Sequence, residues 1–322
     1  MTRVAFIFPG QGSQYVGMGQ ALAAASPAAA AVFAAADAAL GSPVSRLAWD
    51  SPDEELNLTE NAQPAILATS IAYLEALRER WAASGDLGLR ASFMAGHSMG
   101  QYSAMVAAGV ISLADGLFLV RERGRHMQAS GDGRDGAMAA IIGLDEAALP
   151  ALVERASVRG TFGVANRNAP GQVVVSGERA AIEAGAEIAR VLGAKRAIVL
   201  PVSVAAHSPL MVDAAFAMHT VLADVPFADP EAPLLANADA RTLTTGEAAR
   251  TELVEHLTTG VDWVRAVETM VAAGVDTFVE IGPGRVLTGL TKRIASGATV
   301  LATDDPNAPD RLAVPDLSPS IA

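Results

Sequence analysis

The chain contains no cysteine. Disulfides, thiolate metal sites and a cysteine nucleophile are therefore excluded, and a reducing, cytoplasmic setting is expected. Aromatic residues are scarce, at 5%, which argues against a base-stacking surface. Basic residues are outnumbered: 23 Lys and Arg stand against 35 Asp and Glu, for a formal net charge of −12. Phosphate binding needs a basic face, so nucleic acid is not an expected partner. Long apolar runs are missing too. The opening MTRVAFIFPG is too short for a signal peptide. Residues 91–114 lack Asp, Glu, Lys and Arg, but His97, Ser98, Gln101, Tyr102 and several glycines interrupt them. That span reads as buried core and not as a membrane segment. The first glycine-rich loop matches neither G-x-G-x-x-G nor a P-loop with its lysine, and there are no internal repeats.

What is present is a 322-residue chain that is 51% hydrophobic, enough for about two domains with a substantial core. It turns on residues 91–109, which hold GHSMG at 96–100. Ser92 to Ala95 reads as a strand and Gln101 to Ala108 as a helix. Strand, sharp turn and helix form the setting in which a serine is thrust out at the end of a parallel sheet. Glycines at 96 and 100 answer to sterics, because a turn this tight leaves no room for a Cβ. The helix N-terminus also aims unpaired N–H groups at any oxyanion formed beside Ser98. The plain alternative is a glycine-rich turn with an incidental serine; the flanking strand and helix favour a nucleophile.

Along the chain, Val4–Phe8 is an apolar strand that breaks at Pro9-Gly10-Gln11-Gly12-Ser13-Gln14. That loop is either backbone brought up to a site, with Gln11 in reach, or a plain turn. Helices are expected over 27–39 and Glu60 to Trp81, the second with Pro64 tolerated in its first turn. Ser112-x-x-Asp115 caps a helix running to Gln128. Helical phase presses Arg123 between Leu119 and Met127, among apolar neighbours. A guanidinium there needs an anionic partner; the residues alone favour a salt bridge to a nearby Asp or Glu over a ligand. GDGRDG at 131–136 is a charged break. Beyond it the order is β-α-β-β-α-β up to Leu200, a ferredoxin-like pattern, with Asn166 and Asn168 in the turn between its middle strands. His207 lies just ahead of a helix to about Leu222, where the helix dipole favours the neutral imidazole that a general base requires. His97, His126, His219 and His256 compete for that role, and His126 and His219 look like helix-surface residues. A short strand ends at Asn237, helices follow at Thr245 to His256, Trp263 to Ala273 and Val286 to Ile294, and strands at Thr277–Ile281 and Thr299–Leu301. From Asp304 the composition suggests a poorly ordered tail.

These features give a serine elbow on an α/β domain interrupted by a small insert. Ser98 and His207 supply nucleophile and base by type. The Met99 and Gln11 backbone amides are candidates for an oxyanion hole, and no Asp stands out as a third member of a triad.

FPGQGSQ at 8–14, GHSMG at 96–100, VRERGRHMQ at 120–128, NRNAPGQVVVSG at 166–177, VSVAAH at 202–207 and EIGPGRVLTGLTKRI at 280–294 together resemble the malonyl-CoA:acyl carrier protein transacylase family. The resemblance runs to about residue 303 and extends to the acyltransferase domains of polyketide synthases. It implies an α/β fold with an α/β-hydrolase-like large subdomain built on a parallel sheet, from 1–131 and 204–303. An inserted ferredoxin-like subdomain would span 132–203, and 304–322 would be the tail. It implies malonyl transfer from malonyl-CoA through a Ser98 ester to the phosphopantetheine thiol of an acyl carrier protein, with no metal and no bound cofactor. His207 would be the base, oriented by a backbone carbonyl of His256, and Gln11 and Met99 would hold the oxyanion. Arg123 would bind the malonyl carboxylate, which replaces the salt-bridge reading. His97 would lie beside the nucleophile and Asn166 near the site mouth. A monomer is expected. Gln101 stands where many members have glutamate, and His256 where they commonly have glutamine. Ala205 and Ala206 leave room for substituted malonyl groups, as in trans-acting polyketide acyltransferases. A serine esterase or thioesterase of similar fold is the rival. The carrier is expected to be acidic, so Lys195, Arg196, Lys292 and Arg293 are candidate docking residues.

Overall fold

The structure is a computed structural model that describes residues 2–85, 88–131, 135–200, 202 and 204–304. Beyond Asp304 the expected tail lies outside the described residues, as do 132–134 of the charged break. The strands in chain order are β1 (Val4–Phe8), β2 (Ala91–Gly96), β3 (Gly136–Ile142), β4 (Phe162–Ala169), β5 (Gln172–Glu178), β6 (Arg196–Val199), β7 (Leu234–Leu235), β8 (Thr242–Leu243), β9 (Val261–Asp262), β10 (Thr277–Glu280) and β11 (Thr299–Ala302). They form a six-stranded sheet of order β11-β10-β1-β2-β7-β8 and a five-stranded sheet of order β6-β3-β5-β4-β9.

The larger sheet is parallel except at the β7–β8 edge. Its central strand, VAFIF, is buried at all five positions, as a parallel strand covered on both faces must be. The period of two is still visible: Val4, Phe6 and Phe8 join one apolar cluster, whereas Ala5 and Ile7 join the other. The first cluster is built on the helices Thr59–Ala83 and Leu113–Gly131, the second on Trp263–Ala272 and Val286–Ile294. Among the described residues, no helix is long and apolar enough to cross a membrane.

In the smaller sheet β3, β5, β4 and β6 pair antiparallel, and the helices Leu149–Ala156 and Arg179–Val191 bury a separate cluster against it. The expected β-α-β-β-α-β order is present. One placement differs. Asn166 and Asn168 lie inside β4 and not in the turn, with Asn166 in register with Val174. The turn is confined to Pro170 and Gly171, because Gly171 takes the left-handed conformation (φ 68°) and closes the hairpin at once. Ladder pairing outweighs the turn preference of asparagine. The sequence also gave no sign of β9, a two-residue strand from the far side of the insert that adds to β4 in parallel and ties the smaller sheet to the chain beyond it.

The elbow has the tightness expected of it. A Cβ on Gly96 would sit 2.0 Å from the Gly100 carbonyl, and one on Gly100 would sit 2.2 Å from the Phe8 carbonyl oxygen. Ser98 between them has φ 53°, a conformation costly for a residue with a side chain and held only where the surroundings demand it.

Candidate active site

Ser98 leads from β2 into the helix Gly100–Ala107. Two side chains fix the turn, one distant in sequence and one from the helix that follows it. Asn237, just beyond β7, accepts the Ser98 N–H on its Oδ1 at 2.8 Å. Gln101 accepts the Gly96 N–H on its Oε1 at 3.1 Å and donates from its Nε2 to the Leu235 carbonyl at 3.0 Å. A carboxylate at 101 would accept the first bond but not make the second, so glutamine here links β2 to β7 as glutamate would not. Asn237 is itself held by Glu252, whose Oε1 accepts the Asn237 N–H at 2.7 Å.

His207 is buried, with φ 59°. Its Nδ1–H donates to the His256 carbonyl at 2.7 Å, which leaves Nε2 to accept from the Ser98 hydroxyl at 2.8 Å. The tautomer is thus set by a main-chain oxygen, and no carboxylate is required behind the imidazole. Burial, and after it the Arg123 charge, push the His207 pKa down to about 3. The imidazole is neutral, and desolvation is the largest cause.

Arg123 is 1% exposed. Its Nη2 donates to Ser98 Oγ at 3.1 Å and its Nη1 to Gln63 Oε1 at 3.0 Å. Nη2 also lies 3.4 Å from His256 Nε2. Among the described residues no carboxylate pairs with it, and the salt bridge that the residues alone favour is not there. Burial lowers its pKa, yet a guanidinium stays charged under all ordinary conditions. Among the described residues the site therefore holds a desolvated cation without a carboxylate partner, beside the Ser98 hydroxyl.

The other sequence candidates fall around this centre. Met99 is fully buried and precedes the first turn of the helix. Gln11 sits in the exposed turn after β1, with its Nε2 donating to Thr59 Oγ1 at 3.4 Å. The neighbouring Gly10 abuts the elbow so closely that a Cβ there would lie 2.5 Å from the His97 carbonyl oxygen. His97 Nε2 bonds Asn168 Oδ1 at 2.9 Å. Asn166, two residues earlier on β4, is buried in register with Val261 of β9. His256 contributes its carbonyl to His207 as described. Gln63 and Glu252 have no place among the sequence candidates, and Asn168 appears there only as a turn residue. Gln63 left no distinguishing signal, since Thr59, Glu60 and Asn61 precede it in the same helix turn; Asn237 is visible only as the end of a strand. Among the described residues, no group of three or more potential metal-ligating side chains comes together.

The buried imidazoles have a consequence for stability. His97, His207 and His256 all have pKa values lowered from 6.5, chiefly by burial. Below about pH 6.5 the unfolded chain takes up protons that the folded one refuses, so their contribution is lost as pH falls. Burial raises Glu252 and Glu280 to about 7 from 4.5, and their contribution is lost instead as pH rises through 4.5 to 7. Between pH 6.5 and 4.5 the two trends oppose each other, three rings against two carboxyls, so the loss on acidification is only partly offset. Below pH 4.5 the offset is gone, and the melting temperature should fall more steeply there than between pH 6.5 and 4.5. A level Tm down to pH 3.5 would contradict the neutral burial of these rings.

Fold and site together have the arrangement common to serine-dependent acyl-transfer and acyl-hydrolysis enzymes: a hydroxyl within reach of a neutral imidazole and a helix N-terminus, at the end of a parallel α/β sheet. The chain belongs to the acyl transferase domain family, whose profile matches residues 5–310. It is 46% identical over 308 residues to the malonyl CoA-acyl carrier protein transacylase of Escherichia coli (strain K12), covering 96% of this chain and 98% of that protein. With the Bacillus subtilis (strain 168) protein of the same name it shares 42% over 307 residues, 95% of each. The crystal structure of an acyl-carrier-protein-S-malonyltransferase from Bartonella henselae superimposes with a TM-score of 0.91 at 41% identity, covering 96% of this chain and 98% of that one. A malonyl-transacylase in complex with a type II PKS acyl-carrier protein gives 0.92 at 41%, covering 98% and 100%.

Proposed function

We propose that this enzyme transfers a malonyl group from malonyl-CoA to the phosphopantetheine thiol of an acyl carrier protein through an ester on Ser98. One observation carries the reading: a buried arginine with no carboxylate partner stands 3.1 Å from the hydroxyl. A buried charge left without a counter-ion is costly, and a substrate bearing a carboxylate next to the reacting carbonyl supplies the missing anion as a bidentate pair. An esterase or thioesterase acting on neutral acyl groups gains nothing from it.

In the first half-reaction Ser98 Oγ gives its proton to His207 Nε2 and attacks the thioester carbonyl. The oxyanion takes bonds from the Met99 and Gln11 amides, since the Ser98 amide is already engaged by Asn237. The carbon–sulfur bond breaks, and the leaving thiolate of coenzyme A takes the proton from His207. In the second half the carrier's thiol passes its proton to His207 and attacks the ester, and Ser98 leaves protonated. Arg123 also acts on the base. Its charge helps hold the His207 pKa down, and a bound carboxylate offsets that charge, so the substrate itself raises the basicity of the imidazole toward working pH.

By the same reading the two sheets are an α/β-hydrolase-like subdomain (1–131 and 204–303) and a ferredoxin-like one (132–203), with His97 and Asn166 lining the cleft between them. The protein acts as a cytoplasmic monomer without metal or bound cofactor. The experiment is incubation with malonyl-CoA followed by intact-mass analysis. One malonyl group should appear on Ser98 and be discharged by holo carrier protein; a protein that gains no adduct is not this enzyme.

A further inference from the structure

Buried arginines are ordinarily held by carboxylates. Here, apart from the Ser98 hydroxyl, the hydrogen-bond partners among the described residues are an amide and an imidazole. Gln63 is 0% exposed, and its Oε1 accepts from Arg123 Nη1 at 3.0 Å while its Nε2 lies 3.8 Å from Met127 Sδ. His256 is also 0% exposed. Its Nδ1–H donates to the Glu252 carbonyl at 2.9 Å, so Nε2 keeps its lone pair and faces Arg123 Nη2 at 3.4 Å. Tyr102 adds an aromatic face with its ring centroid 5.9 Å from the guanidinium carbon. These contacts fix the plane of the fork but cancel none of its charge. His256 therefore serves both halves of the site: its carbonyl orients the base and its ring orients the cation.

We propose that Gln63 and His256 set the acyl selectivity of the site, as an uncharged pair of acceptors that locks Arg123 in place and leaves its full charge for the substrate carboxylate. The inference rests on the malonyl reading above and deepens it. The physical reason is competition. A carboxylate in either position would form an internal ion pair with Arg123, and the substrate would have to displace it. An amide or a neutral imidazole supplies the directional bond without the competing charge. The His256 ring stays neutral over the assay range, because burial, the Arg123 charge and the His207 ring all disfavour its protonation. Both are positioning residues; neither has to touch the substrate.

The test compares kcat/KM for malonyl-CoA with that for acetyl-CoA, both donating to the same holo carrier protein. The variants are Gln63→Glu, Gln63→Leu, His256→Gln and His256→Leu. Glutamate matches glutamine in shape and leucine does not, so a packing role predicts that Leu is the more damaging at 63. The uncharged-acceptor role predicts the reverse. Gln63→Glu should lower the malonyl-to-acetyl ratio at least roughly tenfold further than Gln63→Leu. At 256, Gln should recover most of the ratio that Leu loses. The inference is overturned if Gln63→Glu keeps the wild-type ratio or falls less than Gln63→Leu. Should Gln63→Glu not fold, the pair at 256 decides, and equal ratios for Gln and Leu overturn it. Wild-type protein that acquires no malonyl on Ser98 removes the underlying reading and this inference with it. A malonylated wild type with an unmoved Gln63→Glu ratio removes the inference alone.

Discussion

Ser98→Ala is expected to abolish acyl uptake: no adduct forms with malonyl-CoA, and turnover falls on the order of 10⁴-fold or more, as when a nucleophile that works as one unit with its base is removed. The loss should be confined to chemistry. Alanine tolerates φ 53° no better and little worse than serine does, and the turn is held from outside by Asn237 and Gln101. Thermal stability should therefore change little. Coenzyme A thioester binding should persist, because Arg123, Gln63 and His256 are untouched and Nη2 has lost only its bond to Oγ. Turnover by Ser98→Ala within a few per cent of wild type would mean that the acyl group is carried elsewhere.

Arg123→Ala should separate substrates. Losing one member of a buried, hydrogen-bonded charge pair costs about 2–5 kcal/mol, which is roughly 30-fold to several-thousand-fold in kcat/KM for malonyl-CoA. Acetyl-CoA has no carboxylate to lose a partner, and its kcat/KM should fall far less. Arg123→Lys should lie between the two, since an ammonium keeps the charge but cannot make the planar, two-bond contact. Malonyl and acetyl rates falling by the same factor in Arg123→Ala would show that the guanidinium supports the structure of the site and not the recognition of a diacid. The Ala variant also leaves Gln63 Oε1 and His256 Nε2 without their donor, so a drop in Tm should accompany it.

Much of this site was legible before any coordinates. The elbow could be found because its constraints are local: two glycines whose Cβ atoms would strike backbone, an apolar strand before, a small-residue helix after. Helical phase was enough to bury Arg123 beside Leu119 and Met127. It could not say what the arginine meets, and the salt bridge was the reasonable expectation. Asn168 was misplaced into a turn by its composition, when strand pairing carries β4 through to Ala169 and brings Asn168 to His97. Gln63 carries no motif: it is one of several polar residues in the first turns of its helix, beside Glu60 and Asn61. The segments 20–25, 44–49 and 53–56 went unread as helices because each is too short to show a period.

The sequence by itself determined which residues could do chemistry, where the chain must turn, and which faces must be buried, because sterics and periodicity act over a few residues. Only the tertiary structure decided who meets whom. Ser98 is joined to His207 across 109 positions, to Asn237 across 139, and Arg123 to Gln63 across 60. Those meetings follow from the order in which strands enter the sheet, and no local pattern encodes that order. Arg123 is the plainest case: that its partners among the described residues are an amide, a hydroxyl and an imidazole, with no carboxylate, is a property of the surrounding shell and not of its own helix.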